Sequence, residues 1–130
     1  MDVQEVRKLD TYLKRVFGNP EIRVVPREDD SAEVYIGGES IGELLVDDED
    51  GDRSFQFQMK LKTVVDVQEV RKLDAYLKGV FGNPRIRVVP RPKKDDSAEV
   101  YIGDEFIGVL FVDDRSFQMA ILEDDLIEQE

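Results

Sequence analysis

Hydrophobic residues near the start of the chain recur at three- and four-residue intervals, with polar residues between them. The apolar residues of this pattern are Val3, Val6, Leu9, Leu13, Val16 and Phe17. Such spacing places them on one face of an amphipathic helix. Asp2 can cap its first turn, with Glu5 completing a capping box, and Gly18-Asn19-Pro20 supplies a stop. We therefore predict a helix between Asp2 and Gly18.

After this stop, apolar and polar residues alternate with period two, which is typical of strands with one buried face. Four segments follow this pattern, at residues 22–25, 33–36, 41–46 and 55–61. Pro26 cannot donate to a sheet ladder and suggests an edge or a strand end. Gly37-Gly38 fits a two-residue hairpin that needs positive φ. The pattern predicts one helix followed by a four-stranded antiparallel meander, an α+β fold.

The whole pattern occurs twice. Residues 2–27 return as residues 66–91 with three changes among 26 positions, and residues 29–48 differ from residues 95–114 at four of 20 positions. Two segments this similar predict two copies of one fold. Positions that differ between them indicate where the copies meet different surroundings.

We expect the second copy to form the same elements as the first. Its helix signals recur, with a capping box at Asp66 and Glu69 and a stop at residues 82–84. A fold of about 60 residues rarely buries enough apolar surface alone. We therefore predict two repeats, residues 1–64 and 65–130, that pack about a pseudo-twofold axis in one compact body.

The differences between the copies make the first more polar than the second. The changed positions pair Ser40, Glu43, Lys60 and Lys62 with Phe106, Val109, Ala120 and Leu122. In alternating strands, Lys60 and Ala120 lie on the face opposite Phe57 and Phe117. This outer face is predicted to be wet in the first repeat and covered in the second. The acidic carboxy-terminal tail is the expected cover, and a partner chain is the alternative.

Composition excludes several chemistries and partners. The 130 residues include no His, Cys or Trp, which removes His-based catalysis, thiol chemistry and Cys/His metal sites. The formal charge is −12, and each predicted repeat, with 9 basic and 15 acidic residues, contributes −6. Such a field repels nucleic acid and anionic membranes. With no apolar leader or membrane span in the pattern, we predict a cytoplasmic protein without catalytic residues, cofactors, or nucleic-acid or membrane partners.

The acidic run at residues 47–52 is the sharpest chemical signal. Clustered carboxylates on a turn suit Ca²⁺, but the EF-hand register fails because Val46 and Phe57 stand where the first and twelfth ligands belong. A solvated hairpin tip that prevents pairing with other chains is the preferred explanation of the run. We predict no metal site, and an acidic-loop Ca²⁺ module is the alternative. The ligands of that alternative are Asp48, Asp50 and Asp52.

Two further charged patterns have both functional and structural interpretations. Residues 85–94 hold five bases and could contact phosphates, or they could pair across strands with Glu33 and Glu99. Glu33 with Tyr35 and Glu99 with Tyr101 could form a glycosidase-like couple. Nothing in their spacing favours a catalytic couple over acids that simply lie on exposed strand faces. The structural interpretation is preferred for both patterns.

Both repeats resemble a family of short, single-unit alphaproteobacterial proteins of unknown function. The resemblance is carried by residues 13–27, 29–37 and 41–59 of the first repeat, and by residues 87–114 and the segment Met119-Ala120-Ile121-Leu122 of the second. The resemblance implies the family's fold and self-association, and it transfers no catalytic residue. The chain departs from the family as a tandem fusion with a shortened second hairpin. We interpret it as a single-chain pseudo-dimer, natural or engineered. Its predicted role is a non-enzymatic structural or protein-interaction module that self-associates through the second repeat's apolar face.

Overall fold

The computed structural model describes residues 1–48, 53–62, 66, 69–93 and 95–127. Its elements are α1 (Val3–Phe17), β1 (Ile22–Pro26), β2 (Ser31–Ile36), β3 (Glu39–Asp47), β4 (Ser54–Lys60), α2 (Val70–Phe81), β5 (Ile86–Pro90), β6 (Ser97–Ile102), β7 (Glu105–Phe111), β8 (Ser116–Leu122) and α3 (Glu123–Ile127). Each long helix precedes four strands, and within each set of four the consecutive strands pair antiparallel. The predicted α+β fold of two repeats is confirmed.

The structure forms two compact units, and each unit includes the C-terminal end of the other repeat. The first unit comprises Met1–Gln58 and Ala120–Glu130, and the second comprises Met59–Met119. The end of β8 and α3 thus belong with β1–β4, whereas the end of β4 belongs with β5–β7. This division differs from the one between residues 64 and 65 that the sequence repeat suggests. The pseudo-twofold arrangement stays a prediction.

In the first unit, strands follow the order β1-β2-β3-β4, with Ala120–Leu122 of β8 beside β4. The apolar face of α1 buries Leu9, Leu13 and Phe17. The Phe17 ring meets the Phe57 ring edge-on, with centroids 6.4 Å apart. The inner sheet face, which carries Phe57, therefore packs against α1 and forms this unit's core.

The second unit repeats this packing with α2. Its strands follow the order β5-β6-β7-β8, with the end of β4 beside β8. Phe81 of α2 meets Phe117 edge-on at 6.4 Å. Directly after β4, the Leu61 amide donates to the Arg115 carbonyl over 2.8 Å, and its side chain is buried. Leu61 thus anchors the end of the first repeat inside the second unit.

The predicted cap of α1 is confirmed. The Glu5 amide donates to Asp2 Oδ1 over 2.8 Å, and the Asp2 amide donates to Glu5 Oε1 over 3.3 Å. Arg53 reaches Glu5 from the end of the acidic hairpin, with Nε 2.5 Å from Oε2 and Nη2 2.9 Å from Oε1. Glu5 therefore joins the helix start to the hairpin.

The predicted capping box at Asp66 and Glu69 is wrong. Helix α2 begins only at Val70, and its N-cap residue Glu69 makes no side-chain cap; Glu69 pairs instead with Lys72 over 3.2 Å. The β7–β8 hairpin is shorter than the β3–β4 hairpin and holds Arg115, the counterpart of Arg53, in a turn at φ 48°. Among the described residues, Glu69 therefore lacks the bidentate ion pair with arginine that anchors Glu5 in α1.

The expectation that the carboxy-terminal tail covers the outer face is also wrong. Ala120 is exposed and Leu122 is 56% exposed. The Leu122 amide donates to Asp125 Oδ2 over 3.0 Å, which turns the chain into α3 directly after β8. Helix α3 then contacts α1 and buries Leu126 on the helix side. A partner chain as the cover stays a prediction.

Candidate functional site

The outer face of the second unit's sheet carries a group of apolar side chains. This group, called the platform below, consists of Tyr101, Phe106, Val109 and Phe111. Tyr101 lies opposite Phe106 across the β6–β7 ladder, and their rings meet edge-on with centroids 5.7 Å apart. Phe106 is 50% exposed, and the other three are half-buried. The platform therefore presents aromatic and aliphatic surface to solvent.

Two arginines of the β5 segment border the platform. Arg87 donates from Nε and Nη2 to the Gly103 carbonyl over 3.0 and 2.7 Å, and its guanidinium carbon lies 5.3 Å from the Tyr101 ring centroid. Arg91 donates from Nη1 to Ser97 Oγ over 3.1 Å. Among the described residues, neither arginine forms an ion pair. Two cations thus lie beside the platform, and neither has a described carboxylate within ion-pair distance.

The matching face of the first unit is polar, and its arginine forms ion pairs with two carboxylates. Arg27, the counterpart of Arg91, pairs with Glu33 over 3.1 Å and with Glu43 over 3.0 Å. These hydrogen bonds raise the pKa of Arg27. The hydrogen bond from Arg27 is also the main cause that lowers the pKa of Glu33. Ser40 stands where the second unit has Phe106, so this face lacks an aromatic platform.

One substitution between the repeats explains the free charge of Arg91. Glu43 supplies a carboxylate to Arg27, whereas its counterpart Val109 has none. Glu99 accepts from the Tyr101 hydroxyl over 3.2 Å, and no ion pair joins it to Arg91 in the described residues. The predicted pairing of the basic run with Glu99 is therefore absent from the described residues, and Lys94 of the run lies outside them. The equivalent pairing with Glu33 is present in the first.

The two compact units differ strongly in formal charge, because each includes the end of the other repeat. The first unit holds 7 basic and 20 acidic residues, a formal charge of −13, and the second holds 11 basic and 10 acidic residues, a formal charge of +1. The repeats themselves carry −6 each. Because the acidic tail belongs to the first unit while Lys60 and Lys62 belong to the second, folding places the platform on the less negative unit.

In the outermost strand of each unit, the backbone amides that point away from the sheet already donate hydrogen bonds within the unit. In β1, the Ile22 amide donates to the Asn19 carbonyl over 3.4 Å and the Val24 amide donates to Asp10 Oδ2 over 2.9 Å. Pro26, the next residue on that side, has no N–H. An added strand would need these donors. The edge of β1 is therefore a poor site for strand addition.

The edge of β5 is closed in the same way. The Ile86 amide donates to the Asn83 carbonyl over 3.4 Å, and the Val88 amide donates to Asp74 Oδ2 over 3.2 Å. Pro90, the next residue on that side, has no N–H. The second unit therefore offers its sheet face, rather than its β5 edge, for contact with another molecule.

Replacing Asp74 with leucine is expected to uncap the Val88 amide. The loss of this acceptor should lower the free energy of unfolding by about 1 kcal/mol and permit concentration-dependent association through the β5 edge. Urea unfolding and sedimentation velocity measure the two effects. Asp74→Asn keeps an acceptor oxygen and should stay close to the wild type. Identical behaviour of the two variants would argue against the edge cap.

The acidic hairpin is only partly within the described residues. Asp50 and Asp52 lie outside them. Asp48 is exposed, with Oδ2 3.8 Å from Arg53 Nη1, and this cation opposes a Ca²⁺ ion at the same carboxylate. In the part of the chain that the structure describes, no three potential metal-ligating side chains cluster. The calcium alternative at Asp48, Asp50 and Asp52 stays an untested prediction.

The candidate acid couples are engaged in local hydrogen bonds. The Tyr35 hydroxyl donates to Glu33 Oε2 over 3.1 Å, as Tyr101 does to Glu99. With its pKa lowered, Glu33 is poorly suited to donate a proton at neutral pH. This arrangement fits the structural interpretation of the acid pairs.

Sequence reasoning identified the apolar character of the second face but missed that Arg87 and Arg91 form no ion pair in the described part of the chain. The signal was present in the substitution of Glu43 by Val109, once Glu43 is placed beside Arg27. That placement depends on the β2–β3 register, which shifts between Val34 and Tyr35. Sequence periodicity alone does not reveal such a shift.

One of three comparisons with known proteins places the chain in a family. The family described as "Protein of unknown function (DUF3126)" matches twice, at residues 5–63 and 69–125. No curated protein and no solved structure matches the chain. In the described residues, every helix is too short or too polar to cross a bilayer. The two matches cover both repeats, so the chain belongs to the DUF3126 family, whose function is unknown, and contains two copies of its unit.

Proposed function

We infer that this protein is a non-enzymatic protein-interaction module whose binding surface is the platform on the second unit. The observation that carries this proposal is the exposure of Phe106. Half of this aromatic side chain is open to solvent, at a position where the other repeat has Ser40. Exposed apolar groups bordered by polar residues are typical of interaction sites.

The internal repeat strengthens the argument. The same backbone carries Ser40 and Glu43 in one unit and Phe106 and Val109 in the other. The polar residues are compatible with the fold, so folding alone does not require the apolar ones. Contact with a partner supplies a reason for apolar residues on one face only.

The charged groups of these faces favour binding over catalysis. Glu33 pairs with Arg27 and accepts a hydrogen bond from Tyr35, and Glu99 accepts from Tyr101. A general acid or base needs a pKa near the working pH, whereas the pKa of Glu33 is lowered. These carboxylates act as fixed acceptors that orient neighbouring side chains.

Site-specific photo-crosslinking tests the proposed function. The photoreactive residue p-benzoylphenylalanine replaces Phe106 in the full chain, and in a matched control it replaces Ser40. After irradiation in cells of the source organism, position 106 should give a discrete adduct and position 40 should not. An adduct of twice the chain mass identifies self-association through the platform, and another mass identifies a different protein. Equal adducts at both positions, or none at position 106, would contradict the proposal.

A further inference from the structure

The electrostatics of the second unit's outer face favour a negatively charged partner. Arg87 and Arg91 border the platform, and neither forms an ion pair with a described carboxylate. The unit that holds them has a formal charge of +1 beside −13 for the other. Arginines without a carboxylate can form charge-assisted hydrogen bonds with carboxylates of a partner.

The distance between the two arginines and the apolar residues of β7 indicates which kind of partner fits this face. Phe106 and Val109 lie on β7, whereas Arg87 and Arg91 belong to the β5 segment, with β6 between these strands. Neighbouring strands are about 4.8 Å apart, so the two rows are separated by about 10 Å. An α-helix with its side chains is about 10–12 Å across. A helix lying along the strands can therefore contact both rows at once.

The strand edge and the arginines disfavour other modes of binding. Addition of a strand at β5 is opposed by the capped Val88 amide and by Pro90. A second copy of the platform carries arginines and apolar residues rather than a row of carboxylates, so it does not match the charge of the two arginines. A nucleic acid carries a negative charge at every nucleotide, so the −12 charge of the chain opposes it more strongly than a helix with acidic residues on one flank only.

We propose that the platform, together with Arg87 and Arg91, binds an acidic amphipathic helix of a partner protein. Apolar side chains of the helix contact Phe106 and Val109, while acidic side chains on one flank pair with the two arginines. This inference rests on the proposed function and adds the chemistry of the partner. It differs from simple apolar docking because it requires carboxylates.

Binding of a synthetic helix to the full chain tests this requirement. The probe is a fluorescently labelled helix with leucines at positions i, i+3, i+4 and i+7 and with glutamates along one flank. The matched probe has glutamine in place of every flanking glutamate. Fluorescence anisotropy should show that the acidic probe binds at least about ten-fold more tightly, which is the difference expected for one hydrogen bond to a charged group.

Variants copied from the first unit locate the contact. Val109→Glu places a carboxylate where the first unit has Glu43 and should weaken the acidic probe about ten-fold by pairing with Arg91. Phe106→Ser should weaken both probes. Circular dichroism checks that each variant is folded. If Val109→Glu does not fold, Arg91→Gln measures the same charge contact.

The outcomes separate this inference from the proposed function. Equal affinity for the acidic and glutamine probes, or unchanged affinity in Val109→Glu, overturns the acidic partner. Tighter binding of a single-stranded oligonucleotide than of the acidic probe does the same. If neither helix binds while position 106 still crosslinks in cells, the partner class is wrong and the interaction function stands. If neither assay gives a signal, both proposals fail.

Discussion

Replacing Gly108 with alanine is expected to lower the free energy of unfolding by about 1–3 kcal/mol, the usual cost of overpacking a core. A Cβ at this position would lie 2.5 Å from the Gln118 carbonyl oxygen and 2.6 Å from Phe117 Cε1. The first contact involves backbone of the paired strand β8, which cannot move without disturbing the ladder. Urea unfolding followed by circular dichroism measures the change.

Gly79 provides the matched control for this prediction. It lies in α2, and a Cβ there would meet no heavy atom within 4 Å. Gly79→Ala should raise the stability by about 0.8–1 kcal/mol, the difference in helix propensity. A destabilisation of equal size in the two variants would show that the close approach of β7 and β8 at Gly108 is not the cause.

Replacing Phe117 with alanine is expected to cost about 3–5 kcal/mol, because it removes a large side chain from a packed interior. Phe117 is fully buried and packs edge-on against Phe81. Phe106→Ala is the control, since its ring is half exposed and much less apolar area returns to water. Thermal unfolding compares the two variants. An equal loss would mean that Phe106 belongs to the core, which would remove the basis of the proposed function.

The elements of the fold could be predicted from local pattern because burial sets their periodicity. Phe57 and Phe117 alternate with polar neighbours and lie on the inner face as predicted. The composition of the compact units could not be predicted in this way. It depends on the hydrogen bond from Leu61 to Arg115, which joins distant parts of the chain. The start of α2 also depends on a distant contact, since Glu69 lacks the anchor that Arg53 gives to Glu5.

The candidate site was predicted in part from the differences between the repeats. Val109 and Phe106 were identified as apolar replacements, and their place on the outer face follows from the strand register. The unpaired state of Arg91 required knowledge of which side chains meet across strands. The edge caps were missed because Asp10 and Asp74 belong to helices, and their contacts with the strand amides arise only when helix and sheet pack.

The most direct test of the account is to transfer the site to the first unit. The double variant Ser40→Phe/Glu43→Val gives the first face the apolar residues of the second and removes one of the two carboxylates that neutralise Arg27. Isothermal titration calorimetry of the full chain with the acidic helix measures the stoichiometry. The account predicts one site in the wild type and, in the variant, a second site that is weaker because the first unit carries a formal charge of −13. A folded variant that still binds one helix would contradict it, because the substituted residues would then not define the binding surface.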